Sequence, residues 1–277
     1  TGGIRALLLA CVMGGRELAW RSSPIVGLFA VSFLLLMAFV LIERKAEEPM
    51  LPLSLFRRRT LSYGNAVAFF VSAAMFGAIA YLPLFVQGVI GARPQVAGAI
   101  LMPFMAATAI TSMGCRSWLA KVPFRAILVP SLLSMLAGFL LLARAGVETT
   151  IAEMIAYMVL TGLGMGAIYP VLGTAAQNAV AWNQRGAATA SSQFFRSIGG
   201  TVGVAFFGSL MLSRMSSGAD PSQLLDAEAR AGMPAEAMAR LQLEFSHALD
   251  QVFLAAALLT LVSLLASLAL GRERLTG

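Results

Sequence analysis

Long apolar runs separated by short polar segments make up most of the chain. A bilayer core about 30 Å thick needs about 20 helical residues, each rising 1.5 Å. Seven runs reach that length, at about 24–43, 61–87, 96–115, 125–143, 151–177, 187–213 and 249–270. A shorter run at about 4–14 precedes them and is too short to span unless residues precede Thr1 or Arg5 reaches an interface. The pattern predicts a helical bundle of about seven full transmembrane helices and one truncated helix.

Composition leads to the same class. The 277 residues are 58% hydrophobic and 12% charged, and the mean hydropathy is +0.82. Soluble domains carry about 45–50% apolar and about 25% charged residues, so a soluble core of this size cannot enclose the excess. We therefore expect an all-α integral membrane protein whose partner is the lipid bilayer.

The basic residues give the bundle an expected orientation. The net charge of +7 comes from short clusters between apolar runs rather than from one basic face, so the pattern argues against nucleic acid as a partner. If successive runs alternate in direction, the side that carries the three arginines at 57–59 has more positive charge. The positive-inside rule makes that side cytoplasmic. We expect a multi-pass protein of the cell (inner) membrane with a cytoplasmic C-terminus.

Two polar segments interrupt the apolar pattern. The segment at 214–248 falls on the outer side, and its residues 221–248 mix both charges with Leu and Met at helical spacing. This predicts an amphipathic surface helix, or a pair broken at 232–234, in preference to a binding module. The inner segment at 44–60 contains acidic residues, prolines and then arginines, and is typical of a connector between two groups of helices.

Several short motifs occur in a fixed order and carry a resemblance. They are EPMLPLSLF at 48–56, YLPLFVQ at 81–87, GARPQVAG at 91–98, LMP at 101–103, GLGMG at 162–166 followed by Pro170 and Gln177, and FRSIGGTVG at 195–203. Each is weak alone, but the combination resembles the 14-spanner drug:proton antiporter branch of the major facilitator superfamily.

The resemblance implies a division of the chain. Residues 1–43 would be the extra linker helices between the two halves of the transporter, the first of them truncated, and 44–60 the cytoplasmic connector. Residues 61–277 would form the C-terminal six-helix half of a major-facilitator fold, and the N-terminal half would be missing. The loop at 115–125 departs from the family pattern, because it keeps three cations but no acidic partner for a gating ion pair.

The function implied is that of a proton-coupled exporter of small hydrophobic or cationic compounds, as in multidrug efflux, working by alternating access. The partners would be the N-terminal half, a small-molecule substrate and the proton as coupling ion. The alternative is a non-transporting membrane scaffold or partner subunit that is inactive alone. The same hydropathy would serve either function, and only the ordered motifs favour transport.

Candidate cavity residues follow from the resemblance, which places the helices at 61–87, 96–115, 151–177 and 187–213 around a central site. Met and aromatic side chains adapt to varied hydrophobic ligands, yet the same side chains are ordinary on a lipid-facing surface. The candidates are Asn65, Phe76, Met102, Met105, Tyr169, Gln177, Gln193 and Arg196.

Arg196 has two interpretations. An arginine at the centre of a span costs about 2.5–3.5 kcal/mol on insertion scales, so it requires a partner inside the bundle. It would then contact carbonyls, another helix or an anionic group. Otherwise it reaches the cytoplasmic interface near Arg185, where its role is structural.

Glycines and prolines suggest packing and kinks. Gly162 with Gly166, and Gly199 with Gly203, have the four-residue spacing that lets two helices approach closely. A dinucleotide-binding loop at 162–166 is rejected, because no strand precedes it. The prolines in or near spans are Pro83, Pro103 and Pro170, each of which removes a helical hydrogen bond and either permits movement or only shapes packing.

Other chemistry is not expected. The acidic residues avoid the middle of every span, so a proton site would lie outside this chain. The single histidine, His247, and the two cysteines, Cys11 and Cys115, form no spacing typical of a metal site. No nucleophile has a base at helical spacing, so we expect neither an enzyme nor a cofactor.

Overall fold

The computed structural model describes residues 22–43, 58–119, 121–214 and 234–270, and these residues form helices joined by short turns. The helices are α1 (Ser23–Glu43), α2 (Arg59–Gly88), α3 (Pro94–Ala99), α4 (Leu101–Leu119), α5 (Phe124–Leu142), α6 (Ile151–Asn178), α7 (Arg185–Ser213) and α8 (Ala235–Leu268). A short 3₁₀ turn, Trp182–Gln184, precedes α7. The predicted all-α membrane class is confirmed.

Six segments of the described chain are long and apolar enough to cross a membrane. They are α2, α3 with α4, α5, α6, α7 with its 3₁₀ turn, and α8, and they match the six runs predicted after residue 60. The run at 24–43 forms α1. The short run at 4–14, most of the connector at 44–60 and residues 215–233 lie outside the described residues.

The last helix begins earlier than predicted. Pro234 is the N-cap of α8, and the helix then continues without a break into the apolar run that begins at 249. Phe245, Ala248 and Leu249 are fully buried, so this part of the chain packs on the bundle and does not form a separate surface helix. The mixed charges lowered the average hydropathy, although one face of the helix is apolar.

The six spans pack as two similar units. The first unit is α2 to α5 and the second is α6 to α8. Within the bundle, α2 packs mainly against α7 and α8 of the second unit, while α6 packs mainly against α4 and α5 of the first. In chain order α2, α4 and α5 of the first unit correspond to α6, α7 and α8 of the second. The contacts of α2 with α7 and α8 therefore correspond to the contacts of α6 with α4 and α5. Each unit contains three spans, so the second unit enters the membrane in the opposite direction, as in the inverted repeats of transporter folds.

The best-buried part of the core lies where α2, α5 and α8 meet. Phe85 of α2 and Phe253 of α8 are both fully buried and make an edge-to-face contact with their ring centroids 5.9 Å apart. Phe139 of α5 is also buried in this cluster. By contrast, α4 keeps one apolar face exposed, which fits lipid or a further helix.

Candidate functional site

Two glycines bring α2 and α7 into backbone contact. A Cβ added to Gly203 would stand 2.5 Å from the Ala73 Cα atom, and one added to Gly199 would overlap the Phe69 carbonyl group. Only a glycine permits this approach, because carbon atoms normally touch at about 3.5–4.0 Å. The close crossing allows short side chains of α2 and α7 to reach one another.

A similar contact joins α6 to α4. A Cβ on Gly162 would stand 2.5 Å from the carbonyl oxygen of Phe104, and one on Gly166 would overlap the carbonyl oxygen of Thr108. The Thr108 hydroxyl donates a hydrogen bond to the Gly162 carbonyl oxygen at 3.3 Å. This crossing is the counterpart of the α2–α7 crossing when the two units are exchanged.

A buried polar group, the amide cluster of Asn65, Ser191 and Ser192, lies between α2 and α7. The Asn65 Nδ2 atom donates to the Ser191 Oγ atom at 2.9 Å, and the Ser192 hydroxyl donates to Asn65 Oδ1 at 3.0 Å. Asn65 is only 2% exposed. Its amide is therefore occupied in joining two helices, and both of its ends have a partner.

A second polar group, here called the polar junction, consists of Ser72 on α2, Tyr169 on α6 and Arg196 on α7. The Ser72 and Tyr169 hydroxyls are 2.6 Å apart and share a hydrogen bond. The Arg196 guanidinium lies over the Tyr169 ring, 4.6 Å from its centroid, in a cation–π contact. The junction therefore joins three helices and both three-helix units.

The depth of the junction follows from the helix lengths. Arg196 is the twelfth of the 29 residues of α7, and Ser72 is the fourteenth of the 30 residues of α2. Both positions are near the middle of helices about 45 Å long at 1.5 Å per residue. No other hydrogen bond or ion pair joins Arg196 to a residue of the described segments.

The remaining candidates occupy different surroundings. Phe76 is 46% exposed, and Met102 and Met105 lie on the exposed face of α4. Gln193 is exposed, and the Gln177 Nε2 atom donates to the Thr189 hydroxyl at 3.3 Å between α6 and α7. Sequence reasoning thus named two members of the polar junction and one of the amide cluster.

The prolines also differ from one another. Pro83 lies inside α2 and Pro170 inside α6, whereas Pro103 is the third residue of α4. A proline in the first turn removes no helical hydrogen bond. Pro130 lies inside α5, although the sequence did not single it out.

The serines of both polar groups were missed by sequence reasoning. Ser72, Ser191 and Ser192 carry no charge and occur in apolar runs where serine is unremarkable. The adjacent serines 191 and 192 lie one turn before Arg196 on the same helix, and this is the signal that could have indicated a polar face on α7.

The two ends of the bundle carry further polar contacts. At the end where α2 begins, the Arg58 Nη1 atom donates to the Ala179 carbonyl oxygen at 2.7 Å, and Arg185 lies over the exposed Trp182 ring. At the other end, His247 Nδ1 is 3.7 Å from Asp250 Oδ2. No group of three or more metal-ligating side chains occurs within the described segments.

These features define a class. The long apolar helices, the two units of opposite direction and the polar junction between them describe a multi-pass membrane protein with the architecture of a secondary transporter. The family model of the Major Facilitator Superfamily matches residues 2–204. The chain belongs to this superfamily.

Similar proteins carry names of multidrug transporters and resistance proteins. The chain is 40% identical over 212 residues to the multidrug transporter protein MdtP of Bacillus subtilis (strain 168), covering 76% of the chain and 39% of that protein. It is 30% identical over 291 residues to multidrug resistance protein 3 of the same organism, covering 98% and 57%. A tetracycline resistance determinant of Streptomyces rimosus is 32% identical over 208 residues, covering 74% and 60%. The resemblance to drug transporters of this superfamily is confirmed.

The fold also matches a solved structure. The crystal structure of a bacterial homolog of the human lysosomal transporter Spinster, inward-facing and unoccupied, superposes with a TM-score of 0.59 at 14% identity. The match covers 100% of this chain and 67% of that one. The chain spans from about two fifths to three fifths of the curated relatives above.

Proposed function

We propose that the chain is the C-terminal half of a proton-coupled exporter of small hydrophobic or cationic compounds, a multidrug efflux protein of the cell (inner) membrane. The observation that carries the proposal is the polar junction. Ser72 belongs to the first three-helix unit, and Tyr169 and Arg196 belong to the second. Substrate sites of transporters lie near the middle of the membrane at the interface between repeats, which is where this junction lies.

The proposed mechanism is alternating access. The glycine contacts between α2 and α7, and between α6 and α4, hold four of the six spans in two pairs at backbone distance, and α5 and α8 pack against α6 and α2. We therefore propose that this half moves as one body. It supplies one wall of the site, and the N-terminal half supplies the other. Phe76, Met102 and Met105 are proposed as adaptable wall residues for varied hydrophobic ligands, with Gln177 and Gln193 as polar ones.

Proton coupling requires a titratable group in the pathway. Among the described residues, Glu153 is in the first turn of α6, where its carboxylate accepts a hydrogen bond from the Thr150 backbone N–H at 2.8 Å. Asp250 lies beside His247, where the extension of α8 meets the apolar run. Phe245, five residues before Asp250, packs against Gly88 at the end of α2, so Asp250 lies near that end of the bundle although it is far along α8. Neither carboxylate is therefore near the middle of the bundle, and we place the coupling group in the N-terminal half.

The proposed orientation follows from the charges at the two ends. The end where α2 begins carries, among the described residues of the six spans and their turns, only cations: Arg58, Arg59, Arg116, Lys121, Arg125 and Arg185. The opposite end mixes cations with Glu148, Glu153, Glu236 and Glu244. The positive-inside rule makes the first end cytoplasmic, and the chain after α8 then also ends in the cytoplasm.

The test compares the intact transporter with this chain alone. Cells that lack their own efflux pumps are loaded with ethidium, and its loss is followed by fluorescence. We expect export by the intact protein and none by the chain alone, because one wall encloses no route. Net flux through proteoliposomes that hold only this chain contradicts the half-transporter proposal. Unchanged drug sensitivity after deletion of the full gene favours the scaffold alternative.

A matched pair of variants tests the wall. Phe76→Ala in α2 should raise the KM for large hydrophobic substrates, because the ring is proposed to contact them. Leu258→Ala in α8 removes an apolar side chain of similar exposure, 55% against 46%, on a helix outside the proposed wall. Equal effects of the two changes contradict the assignment of Phe76.

A further inference from the structure

Arg196 lies near the middle of a span, where a cation is costly, and its cation–π contact supplies only part of the stabilisation that such a charge requires. A charge in the middle of a span is stabilised when it pairs with an opposite charge or with several acceptors. The described acidic residues are Glu43, Glu148, Glu153, Glu236, Glu244 and Asp250, all in other helices or turns than α7. Of the five from Glu148 to Asp250, whose side chains the structure describes, none forms an ion pair with Arg196.

The contact between Arg196 and Tyr169 uses one flat face of the guanidinium, so the N–H donors along the guanidinium edge do not take part in it. A guanidinium has five N–H donors in its plane, whereas a cation–π contact uses the flat face. The Tyr169 ring is held in turn by the 2.6 Å hydrogen bond between its hydroxyl and Ser72. The plane of donors is therefore positioned by two other helices before any partner arrives.

A planar group of donors has a specific complement. Carboxylates accept two parallel hydrogen bonds from a guanidinium, and the pair is both strong and directional. We propose that the polar junction is a carboxylate-binding site in which the edge of Arg196 receives the two oxygens and Tyr169 with Ser72 fixes its position. This rests on the proposed function, since it assigns a ligand class to the same site, and it adds carboxylates to the hydrophobic and cationic compounds proposed above.

The carboxylate has two sources. It belongs either to the transported molecule, which makes acidic compounds substrates, or to an acidic side chain of the N-terminal half, which is proposed to form the other wall of the site. The first source gives selectivity among substrates, because a cationic compound gains nothing from Arg196. The second source affects every substrate alike and makes export depend on the protonation of that side chain.

The experiment uses the intact transporter with three changes. Arg196→Gln removes the charge, and Arg196→Lys keeps the charge but loses the planar pair of donors. Arg214→Gln is the matched control, because it removes one cation from the exposed end of the same helix. Export of ethidium, a cation, and of fluorescein, a carboxylate, is measured in proteoliposomes between about pH 4.5 and 8.5, because a carboxyl titrates near pH 4 in water and at higher pH when it is buried without a partner.

The results separate the two sources. If the substrate supplies the carboxylate, Arg196→Gln lowers kcat/KM for fluorescein about 10- to 100-fold and leaves ethidium at the level of the control. If the protein supplies it, both dyes are affected together and the pH optimum moves upward, because the carboxyl keeps its proton to higher pH without the guanidinium. In both cases Arg196→Lys gives an intermediate effect. An Arg196→Gln protein equal to the control for both dyes at every pH overturns the proposal.

Two measurements do not depend on export. If the wild-type protein moves neither dye, the proposed function fails, and the inference is then decided by fluorescein anisotropy and by the pH dependence of thermal unfolding. Weaker binding of fluorescein to Arg196→Gln supports the site. So does a variant that no longer shows the decrease in stability that the wild type shows as the pH falls. No difference from Arg214→Gln in either measurement overturns it.

Discussion

Adding one methyl group at Gly203 should force two helices apart. In Gly203→Ala the new Cβ would stand 2.5 Å from the Cα and 2.6 Å from the carbonyl carbon of Ala73. Carbon atoms touch at about 3.5–4.0 Å, so α2 and α7 must separate by about 1 Å at the crossing. Both atoms of Ala73 belong to the backbone, so no side-chain movement can relieve the overlap.

The destabilisation caused by Gly203→Ala is best measured as a difference in the free energy of unfolding between two variants. Overpacking of this kind costs about 1–3 kcal/mol. Replacing any helical glycine by alanine also gains about 0.5–1 kcal/mol of helix stability. Gly173→Ala in α6 has the second effect without the first, since nothing lies within 4 Å of its added Cβ. The free energy of unfolding of Gly203→Ala should therefore be about 1–3 kcal/mol below that of Gly173→Ala.

The assay is unfolding of the purified protein in mixed micelles with an increasing fraction of SDS, followed by circular dichroism. Gly200→Ala is an internal comparison, because its Cβ would meet the Phe76 ring at 2.9 Å, and this half-exposed side chain can move. We expect an effect between those of the other two variants. If Gly203→Ala and Gly173→Ala unfold within about 0.5 kcal/mol of each other, the close α2–α7 contact is refuted.

Three further predictions concern single contacts. Asn65→Leu should cost about 0.6–1.7 kcal/mol for each interhelical hydrogen bond lost, and Ser191→Ala, which removes one of the two, should cost less in the same SDS titration. Gly88→Ala should destabilise because its Cβ would meet the Phe245 ring at 2.5 Å; the double variant with Phe245→Ala should show a favourable coupling energy, and strict additivity would contradict this contact. Thr150→Ala should cost about 1 kcal/mol by removing the capping box of α6, and hydrogen exchange should rise only in the first turn of that helix.

The number and approximate position of the six spans could be predicted because an apolar segment of 20 residues has few alternatives in a membrane. The ends could not. The first 14 residues of α8 carry Glu236, Arg240 and Glu244 on one side and bury Phe245 on the other. Hydropathy averages over both sides, so it places the start of the span where the charges stop.

The members of each polar group could be predicted only in part. A tyrosine and an arginine are unusual in apolar runs, so the sequence predicts Tyr169 and Arg196 as candidates, and the structure brings them together. Ser72 was not, because a serine in a span usually bonds to its own helix, as Ser131 does with the Ile127 carbonyl oxygen. Which serine instead reaches another helix depends on which faces meet.

Which helix faces meet is also what the glycine pattern leaves open, because the pattern predicts a close helix crossing but does not identify the partner helix. The α2–α7 and α4–α6 crossings are equivalent when the two units are exchanged, yet the glycines are on α7 in one crossing and on α6 in the other. A close crossing needs a small residue on one partner only, so the fold does not determine which helix carries it. The spacing of Gly199 and Gly203 therefore predicts that a helix will approach, but not that it is α2. Ser72 reaches Tyr169 because α2 also lies against α6. The composition of the polar junction therefore follows from helix pairings that no local pattern contains.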